Sequence, residues 1–194
     1  MTVRTAGRVD RERVAHVLAR AFADDPAMAY IWPDPAARAR GLPRLFRLLF
    51  DGDGQAGMRL LTAGGEAATL WRGPGRARAG TFELLRRAAP LLAAFGPALG
   101  RALALSRAIE AHMPAGPFWY LHIAGCDPVH QGRGLGRAAV RAGLDRAAGR
   151  LPCYLETAAE ANSGFYAALG FAVTAEWRVP GGGPVFWSML RPPG

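Results

Sequence analysis

The 194-residue sequence contains no lysine, and all 24 of its cationic side chains are arginines. That absence excludes a Walker-type phosphate lysine, a pyridoxal Schiff base and a lysine nucleophile, each of which needs an amine that a guanidinium cannot imitate. Cysteine is scarce as well. Cys126 and Cys153 form no CxxC pair, which fits a reducing compartment and supplies no zinc framework, so no metal is expected. Long apolar runs are also missing: the longest, Ala88 to Gly100, is interrupted by Pro90, Gly96 and Pro97 and is shorter than a bilayer span requires. The N-terminal MTVRTAGRVDRER has no apolar signal core, so a cytoplasmic location is expected. Acidic residues number 15, leaving a net charge of +9. The arginines are scattered singly, without a run interleaved with aromatics, which favours a small anionic ligand over nucleic acid.

What is present is a globular balance, 51% hydrophobic and 20% charged, on a chain the size of one domain, taken as residues 1–194. A first strand around Val3 leads to Asp10, a candidate N-cap. Val14, Val17, Leu18, Ala21 and Phe22 then recur at helical spacing. The segment AFADDPAMAYIWPDP, with three prolines, reads as the end of that helix and carries Tyr30 and Trp32. A second helix shows Leu42, Leu45, Phe46 and Leu49 on one face. MRLLTAGGEAATLWR then reads as a hairpin turning at Gly64 and Gly65. Residues 81 to about 112 carry two helical patterns, Phe82, Leu85, Ala89 and Leu92, then Leu99, Leu103 and Ser106, broken at Gly96 and Pro97.

FWYLHIAGC is apolar enough to be a central strand covered on both faces. A helix over Gly134 to Arg150 follows, burying Gly136, Val140, Gly143, Leu144 and Ala147 and leaving Arg137, Arg141 and Arg146 outside. After the strand CYLET comes a short helix capped by Asn162 and closed by Gly170. FAVTAEWRV alternates with Phe171, Val173, Ala175, Trp177 and Val179 inward, then turns at PGGGP into VFWSML. The resulting order is β α α β β α α β α β α β β.

The segment Asp127-Pro128-Val129-His130-Gln131-Gly132-Arg133-Gly134-Leu135-Gly136 lies between a buried strand and a helix. Glycines there let the backbone approach a ligand, and free N–H groups at a helix N-terminus suit a diphosphate. A glycine-rich turn that only packs a helix on a sheet has the same composition. A dinucleotide fingerprint is also available in Gly134, Gly136 and Ala139, with Glu156 about twenty residues on. It fails because five residues, Asp127 to Gln131, separate the strand from the first glycine.

Gln131-Gly132-Arg133-Gly134-Leu135-Gly136 resembles the Q/R-x-x-G-x-G/A motif of the GNAT acyl-CoA-dependent N-acetyltransferases, and Pro128 and the block Asn162-Ser163-Gly164-Phe165-Tyr166-Ala167-Ala168-Leu169-Gly170-Phe171 stand where that family has them. AFADDP, YLET, FYAALGF and the closing PGGGPVFWSMLRPPG resemble the puromycin N-acetyltransferase branch. The resemblance implies an α/β fold with a mixed, mostly antiparallel sheet of about seven strands, splayed between the strand ending at Cys126 and the strand ending at Thr157. It implies acetyl-CoA as co-substrate, with the pantetheine arm along Ala124, Gly125 and Cys126. The diphosphate would then lie on the N–H groups of Gln131, Gly132, Arg133, Gly134, Leu135 and Gly136, near the charges of Arg133 and Arg137, with Asn162 and Tyr166 also on the cofactor side.

The same resemblance implies transfer of the acetyl group to a primary amine of a small molecule by direct attack, possible antibiotic-type detoxification included, in a monomer or homodimer. A non-catalytic acyl-CoA-binding protein and a protein or peptide N-acetyltransferase stay open as alternatives. Among catalytic candidates, Tyr166 is the general acid for the leaving thiolate, or a packing aromatic beside Leu169. Glu156 ends a buried strand, where an uncompensated carboxylate is costly, and is a base or a structural acceptor. His122, expected on the strand face of Tyr120 and Ala124, is a second candidate base or a satisfied core histidine. Cys126 is not expected to be a nucleophile. Tyr30 and Trp32 are candidates for an aromatic rim on the substrate, with Asp24 and Asp25 beside them.

Overall fold

Strand β1 (Val3–Thr5) is followed by three helices, α1 (Arg11–Ala21), α2 (Pro26–Ile31) and α3 (Pro35–Ala56), in a computed structural model that describes residues 1–78, 88–147 and 149–194. The sequence pattern suggested two helices here, and the prolines explain the third. Pro26 and Pro35 each occupy the first helical position, where the missing N–H costs nothing. The preceding aspartates cap those helices: Asp25 accepts from Ala27 and Met28 at 2.9 and 3.1 Å, and Asp34 accepts from Ala37 at 2.7 Å. The prolines therefore begin helices where they were expected only to end one. Asp10 stands at the N-cap position of α1 as expected, but its side chain makes no capping hydrogen bond there. Its carboxylate accepts instead from the Gly7 N–H at 2.9 Å and from Arg4 at 2.6 and 2.7 Å.

The hairpin β2 (Gly57–Thr62) and β3 (Ala67–Arg72) turns at Gly64 and Gly65 as expected, with Gly65 at φ +82°. With β4 (Trp119–Cys126), β5 (Cys153–Thr157), β6 (Ala172–Arg178) and β7 (Val185–Arg191) they form one seven-stranded sheet in the order β1-β2-β3-β4-β5-β7-β6. Every neighbouring pair is antiparallel except β4 and β5, which are parallel and paired only at Trp119↔Cys153 and Tyr120↔Tyr154. The splayed mixed sheet expected from the resemblance is the one observed. The regular alternation expected of β6 is not. Val173 and Ala175 are exposed, because β6 is an edge strand and its register shifts between these two residues, while Trp177 and Val179 remain buried.

The helical pair expected across 81 to 112 is described from Ala88: α4 (Ala88–Phe95) and α5 (Leu99–His112), with a 3-10 turn at Gly96–Ala98 between them. Phe82 and Leu85 lie outside the described residues. The run Ala89–His112, 24 residues containing an 18-residue window with a mean hydropathy of 1.3, is long and apolar enough by composition to cross a membrane, where the sequence reading expects a shorter stretch. Length and apolarity are equally those of a helix that packs on protein. One side of this run packs on α2 and α3.

Two layers cover the sheet. Helices α1 to α5 pack on one side around Leu18, Trp32, Phe46, Phe50 and Phe95. On the other, α6 (Leu135–Ala147) covers Trp71, Leu121 and Leu155 with Val140 and Leu144, and α7 (Asn162–Ala167) follows β5. Gly143 sets how closely α6 approaches, since a Cβ there would fall on the buried Trp71 indole. Gly143→Ala should therefore destabilise by about 1–3 kcal/mol through overpacking, despite the helix propensity alanine adds. Urea unfolding measures this, and a neutral result would mean that α6 can shift off the indole.

Candidate active site

Beyond Tyr120 the β5-facing edge of β4 has no strand partner among the described residues, and a cavity of about 300 Å³ borders the gap. Strict alternation would turn only every second β4 side chain toward one face, yet Tyr120, Leu121, His122, Ile123 and Ala124 all line this cavity. The cause is a β-bulge. Ile123 pairs with Leu70 and Leu121 with Trp71, so His122 is an extra residue on β4, and bulges of this kind re-aim a side chain.

His122 is aimed at Asp53, with Nδ1 at 2.7 Å from Oδ2. The other oxygen, Oδ1, accepts from Arg72 Nε at 2.6 Å. Asp53 is fully buried, near the C-terminal end of α3. Burial pushes its carboxyl up, but His122 and Arg72 outweigh burial and hold it below its ordinary value.

Glu156, on β5, has the opposite balance. Burial pushes its carboxyl from 4.5 up to about 7, against the opposing effect of hydrogen bonds from Tyr120 and Tyr154. Tyr120 donates to Oε1, while Oε2 is buried without a partner among the described residues. Tyr166, on α7, is buried against Phe165 and Phe171 and lines the same cavity. Burial, then the charges of Glu156 and Asp25, push its phenol well up, so the O–H is retained at neutral pH. The three catalytic candidates thus border one cavity, and Tyr166 combines packing with exposure to it.

At the far end of β4, Ala124, Gly125 and Cys126 pair with Thr69, Ala68 and Ala67 on their β3 side only. Asp127 caps the following turn, accepting from Val129 N–H at 3.2 Å and meeting Arg20 at 3.0 Å. Gln131 donates from Nε2 to the Cys126 carbonyl at 3.4 Å. Gly132 and Gly134 have φ of +76° and +75°, and a Cβ at either would meet nothing within 4 Å. The loop is therefore an open concavity leading into Leu135, Gly136 and Arg137 at the start of α6, where the first-turn N–H groups lack helical partners. Arg133 and Arg137 are exposed beside it. This geometry fits a diphosphate, and the unpaired edge of β4 fits an extended arm leading from it to Glu156.

Burial, with Asp127 and Glu66 nearby, pushes the Cys126 thiol up, which disfavours a thiolate. Asn162 lines the cavity and donates to Thr157 Oγ1 at 3.4 Å. It is the first residue of α7 rather than its cap, a position held by Ala161.

Tyr30 and Trp32 do not border the cavity. Trp32 is core, stacked on Phe95 at 5.2 Å and fitted over Gly41; Tyr30 packs partly buried on the same cluster. The apolar wall comes instead from Phe22, Met28, Leu49, Phe95, Leu99 and Ile109. Asp25 is on that wall, as is Glu110. Asp53, Arg72 and Tyr120 escaped the sequence reading. A signal for Asp53 existed: it continues the apolar stripe Leu42, Phe46, Phe50 at helical spacing, and a carboxylate on a buried stripe needs a reason.

Residues 92–171 match the acetyltransferase (GNAT) family. The chain is similar over 100% of its length, and 96% of the other chain, to a histone acetyltransferase HPA2 and related acetyltransferase from Corynebacterium glutamicum, at 26% identity and a TM-score of 0.77. Arylalkylamine N-acetyltransferase 2 from Aedes aegypti shares the fold at 14% identity, with coverage of 100% and 99% and a TM-score of 0.69. The polyamine N-acetyltransferase of Drosophila melanogaster does so at 17% identity, with coverage of 98% and 99% and a TM-score of 0.60.

Glu156 supplies a stability test. The folded chain keeps this proton up to about pH 7, whereas an ordinary glutamate ionises near 4.5. The folded state therefore binds the extra proton in between, and stability present below about pH 4.5 is lost as pH rises through 7. Relative to Glu156→Gln, the wild type should lose about 3 kcal/mol between pH 4.5 and 8. Urea unfolding of both proteins across that range measures the gap, and parallel stability curves would place Glu156 in a solvated site.

Proposed function

We propose that the chain, whose residues 92–171 match the acetyltransferase (GNAT) family, uses acetyl-CoA to acetylate the primary amine of a small hydrophobic, aromatic-bearing molecule by direct attack in a ternary complex. The observation that carries this reading is the division of the cavity. Its floor, from β4, β5 and α7, holds Glu156, His122 and Tyr166, while its wall, from α2, α3, α4 and α5, is almost wholly aliphatic and aromatic. A polycation would find few counter-charges there. Asp25 and Glu110 are the carboxylates of the wall, enough for one ammonium beside an apolar body. An aminoacyl or amino-nucleoside compound of antibiotic type has that form, and the motifs resembling the puromycin branch support it. The enzyme then works with the cytoplasmic pool of acetyl-CoA.

Acetyl-CoA supplies a thioester, an acyl group activated toward amines. In the loop from Gln131 to Gly136, the backbone N–H groups of Gly132 to Leu135 face the diphosphate, the Gln131 N–H being held by the Pro128 carbonyl; Arg133 and Arg137 add charge, and the free edge of Ala124 to Cys126 aligns the extended arm. One of two groups bordering the cavity, Glu156 or His122, accepts the proton of the incoming ammonium. Tyr166 retains its phenolic proton and donates it toward the departing sulfur.

Mass spectrometry of product, with acetyl-CoA and competing puromycin, an aromatic amino-acid amide, spermidine and a lysine-rich peptide, tests the acceptor class. The first two should be preferred; preference for either of the others would overturn the acceptor while leaving acetyl transfer standing. Protection by CoA against heat without acetylation of any amine would favour a binding protein. Tyr166→Phe should lower kcat by about 10²-fold with acetyl-CoA affinity nearly intact. Gly134→Asp should abolish the rise in Tm that CoA confers on the parent, since it puts a carboxylate into the diphosphate concavity.

A further inference from the structure

We propose that Asp53 is a positioning residue for acetyl transfer, holding His122 with Nδ1–H on its carboxylate and Nε2 as the free basic atom, so that His122 takes the proton of the acceptor ammonium. This rests on the acetyltransferase reading of the same site and extends it to a residue on α3 outside the family's matched segment, 92–171.

Three observations carry it. First, a fully buried carboxylate on the apolar stripe of α3 is costly, and a leucine there would pack without that cost. Pairing with Arg72 offsets part of the cost but occupies only Oδ1. Second, Oδ2 is taken by His122 Nδ1 at 2.7 Å, across 69 residues of sequence. Third, the β4 chain departs from regular pairing at His122 itself. An ordinary strand register would leave His122 alternating with its neighbours; the bulge gives it an independent direction.

The chemistry follows from donor and acceptor types. An ionised carboxylate only accepts, so Nδ1 must be the protonated nitrogen, and Nε2 then carries the lone pair. Among the described residues, the charged or titratable groups around the ring are Asp53 from α3, Arg72 from β3, Tyr120 beside it on β4 with ring centroids 5.1 Å apart, and Glu156 on β5 bonded to Tyr120. When the acceptor ammonium meets Nε2, its N–H bond breaks and an Nε2–H bond forms. The amine is left neutral with its lone pair free, and the imidazolium is countered by Asp53. The proton then passes to solvent. Glu156 is less available for this step, since Tyr120 occupies Oε1 and burial favours its neutral form.

The test is a double-mutant cycle of Asp53→Asn and His122→Gln, read as kcat and KM, with Tm recorded for each protein. Asp53→Asn should lower kcat by about 10²-fold with little change in KM for acetyl-CoA. In the His122→Gln background the same change should cost less than about 3-fold, because residues acting as a unit are non-additive. Equal losses in both backgrounds would make Asp53 structural and overturn the proposal. Where Asp53→Asn fails to fold, Asp53→Asn with Arg72→Gln removes both charges together and enters the cycle in its place. Nitrogen-15 NMR of the wild-type histidines reads the tautomer with no change at Asp53, using His122→Gln for assignment. A neutral His122 protonated at Nδ1 supports the proposal, and protonation at Nε2 sinks it. Undiminished kcat in His122→Gln would also overturn it while acetyl transfer stands; failure of the wild type to acetylate any amine would overturn both readings.

Discussion

Among the described residues, two residue pairs, Trp119↔Cys153 and Tyr120↔Tyr154, make up the strand pairing of β4 with β5, and the rest of the site depends on how soon that pairing stops. Were the two strands to stay in register to their ends, Glu156 would sit beside a paired neighbour and the edge of Ala124 to Cys126 would be consumed by the sheet. Divergence leaves that edge open in the middle of a sheet. An unpaired edge is usually a liability for aggregation, but here it lies in a crevice whose walls admit an extended ligand rather than another sheet. The same divergence puts Glu156 just past the last paired residues, within reach of Tyr120 and bordering the cavity.

The two buried carboxylates of the site have been driven apart electrostatically. Asp53 has a guanidinium on one oxygen and an imidazole on the other, and its carboxyl falls below the ordinary value. Glu156 has the neutral phenols of Tyr120 and Tyr154 rather than a cation beside it, and burial dominates, bringing it to about 7. Carboxyl groups so separated cannot share a role: one is a fixed counter-charge and the other is poised to gain or lose a proton near neutrality. Tyr166, pushed up by burial and by nearby acids, is a third kind of group, a neutral donor.

The parts of this arrangement legible in the sequence are those with local causes. The glycine loop from Gln131 to Gly136, its strand and its helix are adjacent in the chain, and Glu156 could be singled out because a carboxylate closing an apolar strand is conspicuous. The Asp53–His122 pair has no local signature beyond one acid on an apolar stripe, since it depends on a bulge in β4 that only the pairing with β3 creates. Asn162 and Asp10 stand next to helix starts, which makes each resemble a cap, but Asn162 reaches Thr157 and Asp10 is claimed by Arg4 and Gly7. Trp32 was read from its neighbours in the chain as a rim residue, and the partner that buries it, Phe95, comes from a helix more than sixty residues away.

That last contact separates the chemistry of the site from its choice of acceptor. The reacting groups are fixed by the sheet and by short elements joined to it, whereas the apolar wall is assembled by helix packing: Trp32 stacked on Phe95, and Arg101 on α5 donating to the Ile31 carbonyl at the end of α2 at 3.0 Å. Substitutions at the wall-lining positions of α4 and α5, such as Phe95 and Leu99, reshape the wall away from the strand pairing that positions Glu156, Tyr166 and the glycine loop, whereas His112 at the end of α5 is tied to β5 through the Tyr154 hydroxyl. The converse does not hold. Asp53 belongs to α3, whose apolar face also supplies Leu45 and Leu49 to the wall, so changes that shift α3 to suit a different acceptor act on His122 through Asp53 as well. Acceptor shape is thus free to vary at α4 and α5 and constrained at α3, where the wall and the proton-accepting side chain share one helix.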